Sequence, residues 1–307
     1  MDNAYQLLIV GGGPAGLSAG LYAARSRLHA VLLERAMLGG QIMNAELVEN
    51  YPGFPQGISG AELGSLMEQQ AQKYGLEMVM AEVEGIALSG DGKIVSTGEG
   101  SYHAKAVIIA GGSEHSKLGV PGEEDFTGRG VSYCAMCDGA FFSEQAIAVV
   151  GGGNVALNDA LFLTRFASKV VIIHRRDQLR ATRILQERAF AENKIAFLWD
   201  TVVESIKGDT QVRELGLRNV KTGEESGLEV SGVFIAVGLS PNTGYLSGLL
   251  ALSPQGFILV NDRMETEVPG IFAAGDVRAG SARQVASAVG DGATAAISAE
   301  RFLSSAL

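Results

Sequence analysis

The sequence predicts an α/β protein made of two similar three-layer ββα domains, one inserted into a discontinuous other. Three observations carry that prediction. A glycine-rich strand-to-helix turn opens the chain at Gly11, the same layout returns 140 residues later at Gly151, and the only two cysteines, Cys134 and Cys137, lie between them. Internal repetition identifies two units built on one plan, and 307 residues are enough chain for two separate cores.

From Gln6 the chain reads as a buried strand, Leu7-Leu8-Ile9-Val10, then Gly11-Gly12-Gly13-Pro14-Ala15-Gly16, then a helix of small residues from Leu17 to Ala24. Gly11, Gly13 and Gly16 fit G-x-G-x-x-G in the context that gives the motif its meaning, a Rossmann-like strand, turn and helix. The glycines permit a tight turn and close approach to a pyrophosphate, whose charge faces the helix N-terminus. A second strand, Ala30 to Leu33, ends at Glu34, 23 residues after Gly11 and followed by Arg35. An acid about 20 residues on is placed to accept hydrogen bonds from a ribose. The bland alternative is a glycine turn before an ordinary helix, with a surface glutamate. Leu38-Gly39-Gly40-Gln41, the turn-rich loop Glu49-Asn50-Tyr51-Pro52-Gly53-Phe54-Pro55, and a strand Ala106 to Ala110 ending in Gly111-Gly112 all suit a bound flavin. Plain loops and strand ends fit each of these stretches equally well when taken alone.

Cys134-Ala135-Met136-Cys137-Asp138-Gly139 follows. Two cysteines separated by two residues can close a small ring and exchange with an outside disulfide, which needs only exposure and a suitable pKa. Half of a zinc site is the competing reading, although a closed site takes four ligands and the imidazoles on offer are His29, His103, His115 and His174. A carboxyl at Asp138 acts as a general acid toward a thiolate if burial raises its pKa; an Asp-Gly turn is the alternative.

The second unit repeats the first. The strand Ala146 to Val150 leads into Gly151-Gly152-Gly153-Asn154-Val155-Ala156, a helical stretch to Phe166 and a strand Lys169 to Ile173. His174 stands 23 residues after Gly151, the place Glu34 holds in the first unit, and Arg175, Arg176 and Arg180 follow. A carboxylate there repels a 2′-phosphate, whereas guanidinium groups offer it forked, permanently charged donors. The unit therefore reads as built for NADP rather than NAD, with a solvated basic loop as the alternative.

A strand Gly232 to Gly238 and a turn Ser240-Pro241-Asn242-Thr243 return the chain to its first domain. Gly270 to Asp276 is a strand ending in Gly275-Asp276, where Asp276 can accept a hydrogen bond from a ribitol hydroxyl or simply close a Gly-Asp turn. Arg283-Gln284-Val285 opens a closing helix to Phe302, whose positive N-terminus suits charge on a reduced flavin ring. Residues 1–113 and 243–307 are expected to form an FAD-binding domain, and 114–242 an NADPH-binding domain that carries the disulfide. A formal charge of −10, from 24 Lys+Arg against 34 Asp+Glu, argues against general affinity for nucleic acid or an anionic membrane. No basic, apolar leader follows Met1 and no apolar run reaches the ~20 residues of a membrane span, so a soluble cytoplasmic protein is expected. Sparse cysteine fits a reducing compartment.

With these motifs in place, the chain resembles the bacterial low-molecular-weight thioredoxin reductases over almost its whole length. The resemblance rests on Gly11 to Gly16, Glu49 to Pro55, Gly128-Arg129-Gly130-Val131 before the cysteine turn, Gly151 to Ala156, His174-Arg175-Arg176-Asp177, Ser240 to Thr243, Gly270 to Asp276 and Arg283-Gln284. It implies FAD, NADPH, a homodimer and a thioredoxin or thioredoxin-like partner. It further implies that Cys137 faces the flavin, that Cys134 attacks the partner disulfide, that Asp138 relays a proton, and that Arg129, Phe141 and Phe142 dock the partner. Because the disulfide and the nicotinamide would share one inserted domain, the resemblance implies a domain rotation, with hinges near Gly112-Ser113 and Gly238 to Thr243. Three residues depart from the family pattern: Met136 replaces a threonine, Asn158 stands where an acid is frequent so that a second carboxylate assisting proton transfer is missing, and Ala282 stands where tyrosine is common. A related flavoprotein that oxidises dithiols or serves another disulfide partner is the alternative, and a flavin- or zinc-binding protein without turnover a remoter one.

Overall fold

A computed structural model describes residues 4–305 apart from Glu46, Asp91 and Ser247. The chain divides into two compact units, Met1–Glu114 with Ser240–Leu307, and His115–Leu239.

The first unit is organised around the strand Ala4–Val10. Leu7 and Ile9 enter one core, with the helices Pro14–Arg25 and Val285–Ser305, while Leu8 and Val10 enter a second on the opposite face of the sheet. Burial on both faces explains why this stretch is apolar throughout instead of alternating. It pairs in parallel with Ala30–Glu34 on one side and Gly100–Ile109 on the other. Glu77–Met80 and Ile271–Ala273 extend the parallel part, and the antiparallel strands Gly92–Thr97 and Val83–Ser89 complete a seven-stranded sheet. The closing helix lies against the first helix with almost no space between them. A side chain at Gly292 would overlap the carbonyl of Ala15, so the small residues of both helices are what permits this approach.

The second unit has the three layers read from its sequence. A five-stranded parallel sheet runs in the order Ile195–Leu198, Lys169–Ile173, Ala146–Val150, Gly232–Ile235, Val131–Ser132. The helices Asn154–Leu163 and Arg183–Ala191 cover one face. On the other face lies an antiparallel sheet of Thr201–Gly208, Val212–Asn219 and Glu225–Glu229. The helix after Gly151 ends at Leu163 rather than Phe166, because Phe166 and Ala167 both donate to the Leu163 carbonyl and turn the chain. Two short strands at the crossovers, Ser113–His115 and Leu239–Pro241, pair with each other. Gly112 (φ +67°) and Gly238 (φ +150°) adjoin them. Among the described residues no helix is long and apolar enough to cross a membrane.

Candidate active site

In the first unit the glycine turn is held by its own tightness. Gly11 has φ +103°, and a side chain at Gly11 or Gly16 would overlap the carbonyl of Ala110 or of Gly11. Gly13 precedes Pro14 at the helix start, no side chain among the described residues caps the helix, and open space lies where a Cβ of Gly13 would project. First-turn N–H groups without a cap, facing an opening, suit an anion. Glu34 is fixed at the rim: its Oε2 accepts from Gly12 N at 2.6 Å and its Oε1 from Ala36 N at 2.8 Å, leaving lone pairs on both oxygens. Gly40 lies over the turn, where a Cβ would come 3.0 Å from the Gly13 Cα.

Other expected residues of this unit are tied to the turn or to one another, with exceptions. Gly275 (φ +78°) seats beside Ala15, a Cβ there lying 2.9 Å from that of Ala15, and its N–H donates to Asp291 Oδ2 at 3.1 Å. Burial pushes the Asp276 carboxyl up, while the Ser281 hydroxyl at 2.8 Å and the Arg283 charge hold it back. Asn50 Nδ2 donates to Gln284 Oε1 at 3.1 Å, just ahead of the helix that starts at Val285. Gln41 donates to the Ser113 carbonyl. Arg35 instead pairs with Glu114, and Arg283 places its guanidinium 5.5 Å from the Phe257 ring. Asn242, from the turn after the second crossover, donates to the Gly111 carbonyl at 2.8 Å. The neighbouring Tyr245 hydroxyl is buried without a hydrogen-bond partner among the described residues.

The second unit repeats the turn with different chemistry. Gly151 (φ +152°) leaves no space for a side chain beside the Ala236 carbonyl and Ala156, and Gly153 opens the next helix uncapped, again facing open space. Asn154 accepts from Thr182 N at 2.8 Å, Val155 is exposed, and Arg180 N donates to the Gly152 carbonyl at 2.7 Å, so the arginine loop is tied to the glycine turn. His174 is buried against Gly152 with Nε2 3.0 Å from the Gln178 carbonyl oxygen. Burial is the main cause that lowers its pKa; the Gln178 carbonyl opposes this and the charges of Arg180, Arg176 and Arg175 add to it. It is therefore a neutral prop, while Arg175, Arg176 and Arg180 line a cavity of about 400 Å³ with Asp177, Asp200 and Lys221. Lys221 had no signal in the sequence. It comes from a hairpin turn, and its Nζ lies 2.8 Å from Asp177 Oδ2 and 3.0 Å from Asp200 Oδ2.

Cys134 and Cys137 are joined as a disulfide with Cα atoms 5.3 Å apart. Cys134 caps the short helix Ala135–Asp138, its Sγ accepting from Cys137 N at 3.2 Å. Cys134 is half-buried; Cys137 is exposed, and so is Met136 at 61%. Burial pushes the Asp138 carboxyl up, against the pull of the Ser132 hydroxyl 2.6 Å from its Oδ2. Ahead of the turn, buried Glu123 accepts from Leu118 N, Gly119 N and the Tyr133 hydroxyl at 2.9, 2.7 and 2.8 Å. That carboxylate pins the residue next to Cys134. Sequence reasoning missed Ser132, Glu123 and Tyr133, since no motif marks them.

One expectation around the turn changes. Asn158 is exposed, and Asp159 beside it is half-buried, on the helix that packs against the cysteine turn, where burial pushes its carboxyl to about 6. Phe141 is exposed and Arg129 lies at the surface, donating to the Asp125 carbonyl. Phe142 instead packs edge-on against Phe234, 5.3 Å between centroids, over the space left by Gly232.

Two glycine turns and a closed C-x-x-C in one chain have a counterpart among known families. The sequence profile described as pyridine nucleotide-disulphide oxidoreductase matches residues 5–292. The chain belongs to that family. Within the pyridine nucleotide-disulphide oxidoreductases it groups with the thioredoxin reductases. That of Streptomyces coelicolor is 48% identical over 99% of this chain and 95% of its own. The crystal structure of the Streptococcus pyogenes thioredoxin reductase matches with TM-score 0.95 at 49% identity, covering 99% of this chain and 100% of that one. The Lactococcus lactis thioredoxin reductase, in a state described as the FR conformation, matches with TM-score 0.67 at 47% identity, covering 98% and 99%. Pyridine nucleotide-disulphide oxidoreductases use a flavin and a pyridine nucleotide, and two uncapped glycine turns, one rimmed by a carboxylate and one by arginines, fit such a pair.

Proposed function

We propose that this protein is an NADPH-dependent thioredoxin-disulfide reductase, a cytoplasmic homodimer that passes electrons from NADPH through FAD and the Cys134/Cys137 disulfide to a thioredoxin-like protein. One observation carries the reading: a closed disulfide on an exposed turn of a nucleotide-binding unit that also carries an arginine-lined cavity. Glu34 suits a ribose hydroxyl and repels a 2′-phosphate, which favours FAD in the first unit; Arg175, Arg176 and Arg180 favour NADPH in the second. When bound, the two cofactors supply hydride and two-electron transfer.

The residues do the rest. Asp138, whose carboxyl is pushed up by burial, gives a proton to the thiolate released as the Cys134–Cys137 bond opens. Cys134 then attacks the partner's disulfide to form a mixed disulfide, and Cys137 attacks Cys134 in turn, which frees the reduced partner and closes the ring again. Exposed Met136 and Phe141 offer apolar surface beside the turn to the partner, with Arg129 as a charged contact. The disulfide and the arginine-lined cavity belong to one unit while both exchange electrons with one flavin, which supports a rearrangement in the cycle, with Gly112 and Gly238 at the crossovers as its hinges.

Anaerobic stopped-flow addition of NADPH or NADH, followed by thioredoxin, tests the chain of transfers, and gel filtration tests the dimer. NADPH should bleach the flavin faster than NADH at equal concentration, and oxidised thioredoxin should restore it. A flavin that reoxidises with O₂ but not with thioredoxin would refute the partner. Loss of thioredoxin reduction in Cys134→Ser, with flavin bleaching retained, is expected; full turnover by that variant would remove the disulfide from the mechanism.

A further inference from the structure

Ser132 ends the strand Val131–Ser132, two residues before Cys134, and is 5% exposed. Its Oγ lies 2.6 Å from Asp138 Oδ2, accepts from Cys134 N at 3.1 Å, and lies 3.4 Å from the Cys134 carbonyl oxygen. A hydroxyl has one proton and two lone pairs. With Asp138 ionised, the hydroxyl proton points to Oδ2 and a lone pair takes the Cys134 N–H. With Asp138 protonated, the carboxyl proton points to Oγ, both lone pairs are filled, and the hydroxyl proton turns to the Cys134 carbonyl. Every polar group keeps a partner in both states, and only hydrogens move.

We propose that Ser132 is the positioning residue of the cysteine turn, a hydroxyl that holds Asp138 in both its protonated and its ionised form and ties each to the backbone of Cys134. This rests on the reading of Asp138 as the proton donor. Among the described residues, burial and the Ser132 hydroxyl are what act on the Asp138 carboxyl. Its own helix packs against the turn Gly139–Phe142, which has no titratable side chain, and against Asn154–Leu163, whose one acid is Asp159. Tyr133 is engaged by Glu123, and both thiols are held in the disulfide. Among the described residues, Ser132 is thus the polar side chain hydrogen-bonded to the Asp138 carboxyl.

Infrared difference spectroscopy of the oxidised holoenzyme across pH, on wild type and on Ser132→Ala, Ser132→Cys and Ser132→Thr, tests the proposal. Asp138→Asn identifies the carboxyl band of Asp138, and Asp159→Asn shows that the band is not that of Asp159. Ser132→Ala removes the donor to the ionised form and should raise the midpoint of that band by about one pH unit, a tenfold gain in proton affinity or about 1.4 kcal/mol. Ser132→Cys, with a weak donor of similar size, should move it the same way, and Ser132→Thr should return it close to wild type. A midpoint in Ser132→Ala or Ser132→Cys within about 0.3 pH unit of wild type, or one in Ser132→Thr that stays with Ser132→Ala, overturns the inference. The underlying reading fails separately, if Asp138→Asn reduces thioredoxin at the wild-type rate.

Discussion

Replacing Arg278 by methionine should loosen the first unit where the Gly275 turn meets the closing helix. Arg278 Nε lies 2.6 Å from Asp291 Oδ2 and Nη2 lies 2.9 Å from Oδ1, a two-pronged pair whose side chains are 16% and 9% exposed. The same Oδ2 accepts from Gly275 N, so the pair also braces the turn that leads into Asp276. Methionine keeps the aliphatic bulk and removes the charge, which leaves a buried carboxylate without its counterion. Breaking a buried pair from one side costs roughly 3–5 kcal/mol, and partial exposure puts this case near the lower figure. At about 2–4 °C per kcal/mol for a unit of this size, the midpoint should fall by about 6–12 °C. The assay is thermal release of flavin fluorescence from the holoenzyme, with Trp199, the single tryptophan and a residue of the other unit, as an internal reference. The double variant Arg278→Met/Asp291→Leu removes both charges and leaves only Gly275 N without its acceptor, about 1–3 kcal/mol. It should be the more stable of the two. A flavin-release midpoint in Arg278→Met within about 2 °C of wild type, or a double variant less stable than the single, would refute the reasoning.

Asp159, raised from 3.8 to about 6 by burial, ionises near pH 4 when unfolded but only near 6 when folded. Its contribution is therefore complete below pH 4 and lost as pH rises to 6 and beyond. Asp159→Asn should flatten stability across that window and raise it at pH 7 by at most about 3 kcal/mol; urea curves of the nucleotide-free protein that keep the wild-type slope would contradict this. Lys221→Gln takes its lysine partner from Asp177, whose carboxylate then competes with a phosphate for the three arginines, so calorimetry should show several-fold weaker 2′-AMP binding with 5′-AMP unchanged, partly restored by Asp177→Asn. Equal weakening of both nucleotides would count against it. In Gly152→Ala the new methyl overlaps the His174 ring, and 2′-AMP affinity should fall at least tenfold while flavin content stays at the wild-type level; unchanged affinity would show that the ring yields freely.

What the sequence made legible was local and periodic. The glycine turns, the strands before them and the 23-residue spacing to Glu34 and His174 are chain-neighbour patterns, and backbone geometry enforces them. The strand Gly100–Ile109 was visible only at its apolar end, because its first half pairs with an antiparallel arm whose residues alternate in burial. The sheet Thr201–Glu229 was missed for a similar reason: it buries one face only, and its exposed residues dilute the signal. Polar partners set by tertiary folding had no sequence signature. Ser132 reads as one more serine until Asp138 turns back onto it, and Lys221 meets Asp177 only when a distant hairpin folds over the arginine loop.

On the proposed assignment, the duplicated turns take two ligands on one backbone plan, and a single position distinguishes them. Glu34 and His174 each press on the middle glycine of their turn, the carboxylate by accepting from Gly12 N and the imidazole by filling the space over Gly152. The backbone is supported either way, so the choice of side chain is free to follow the ligand. A carboxylate brings negative charge to the rim and rejects a phosphate there. A buried imidazole with a lowered pKa brings none, and the arginines beyond it then set the sign of the field alone. On the proposed NADPH assignment, His174 shapes selectivity without contributing charge, because it keeps a carboxylate out of the arginine cavity at the place where the other unit has one.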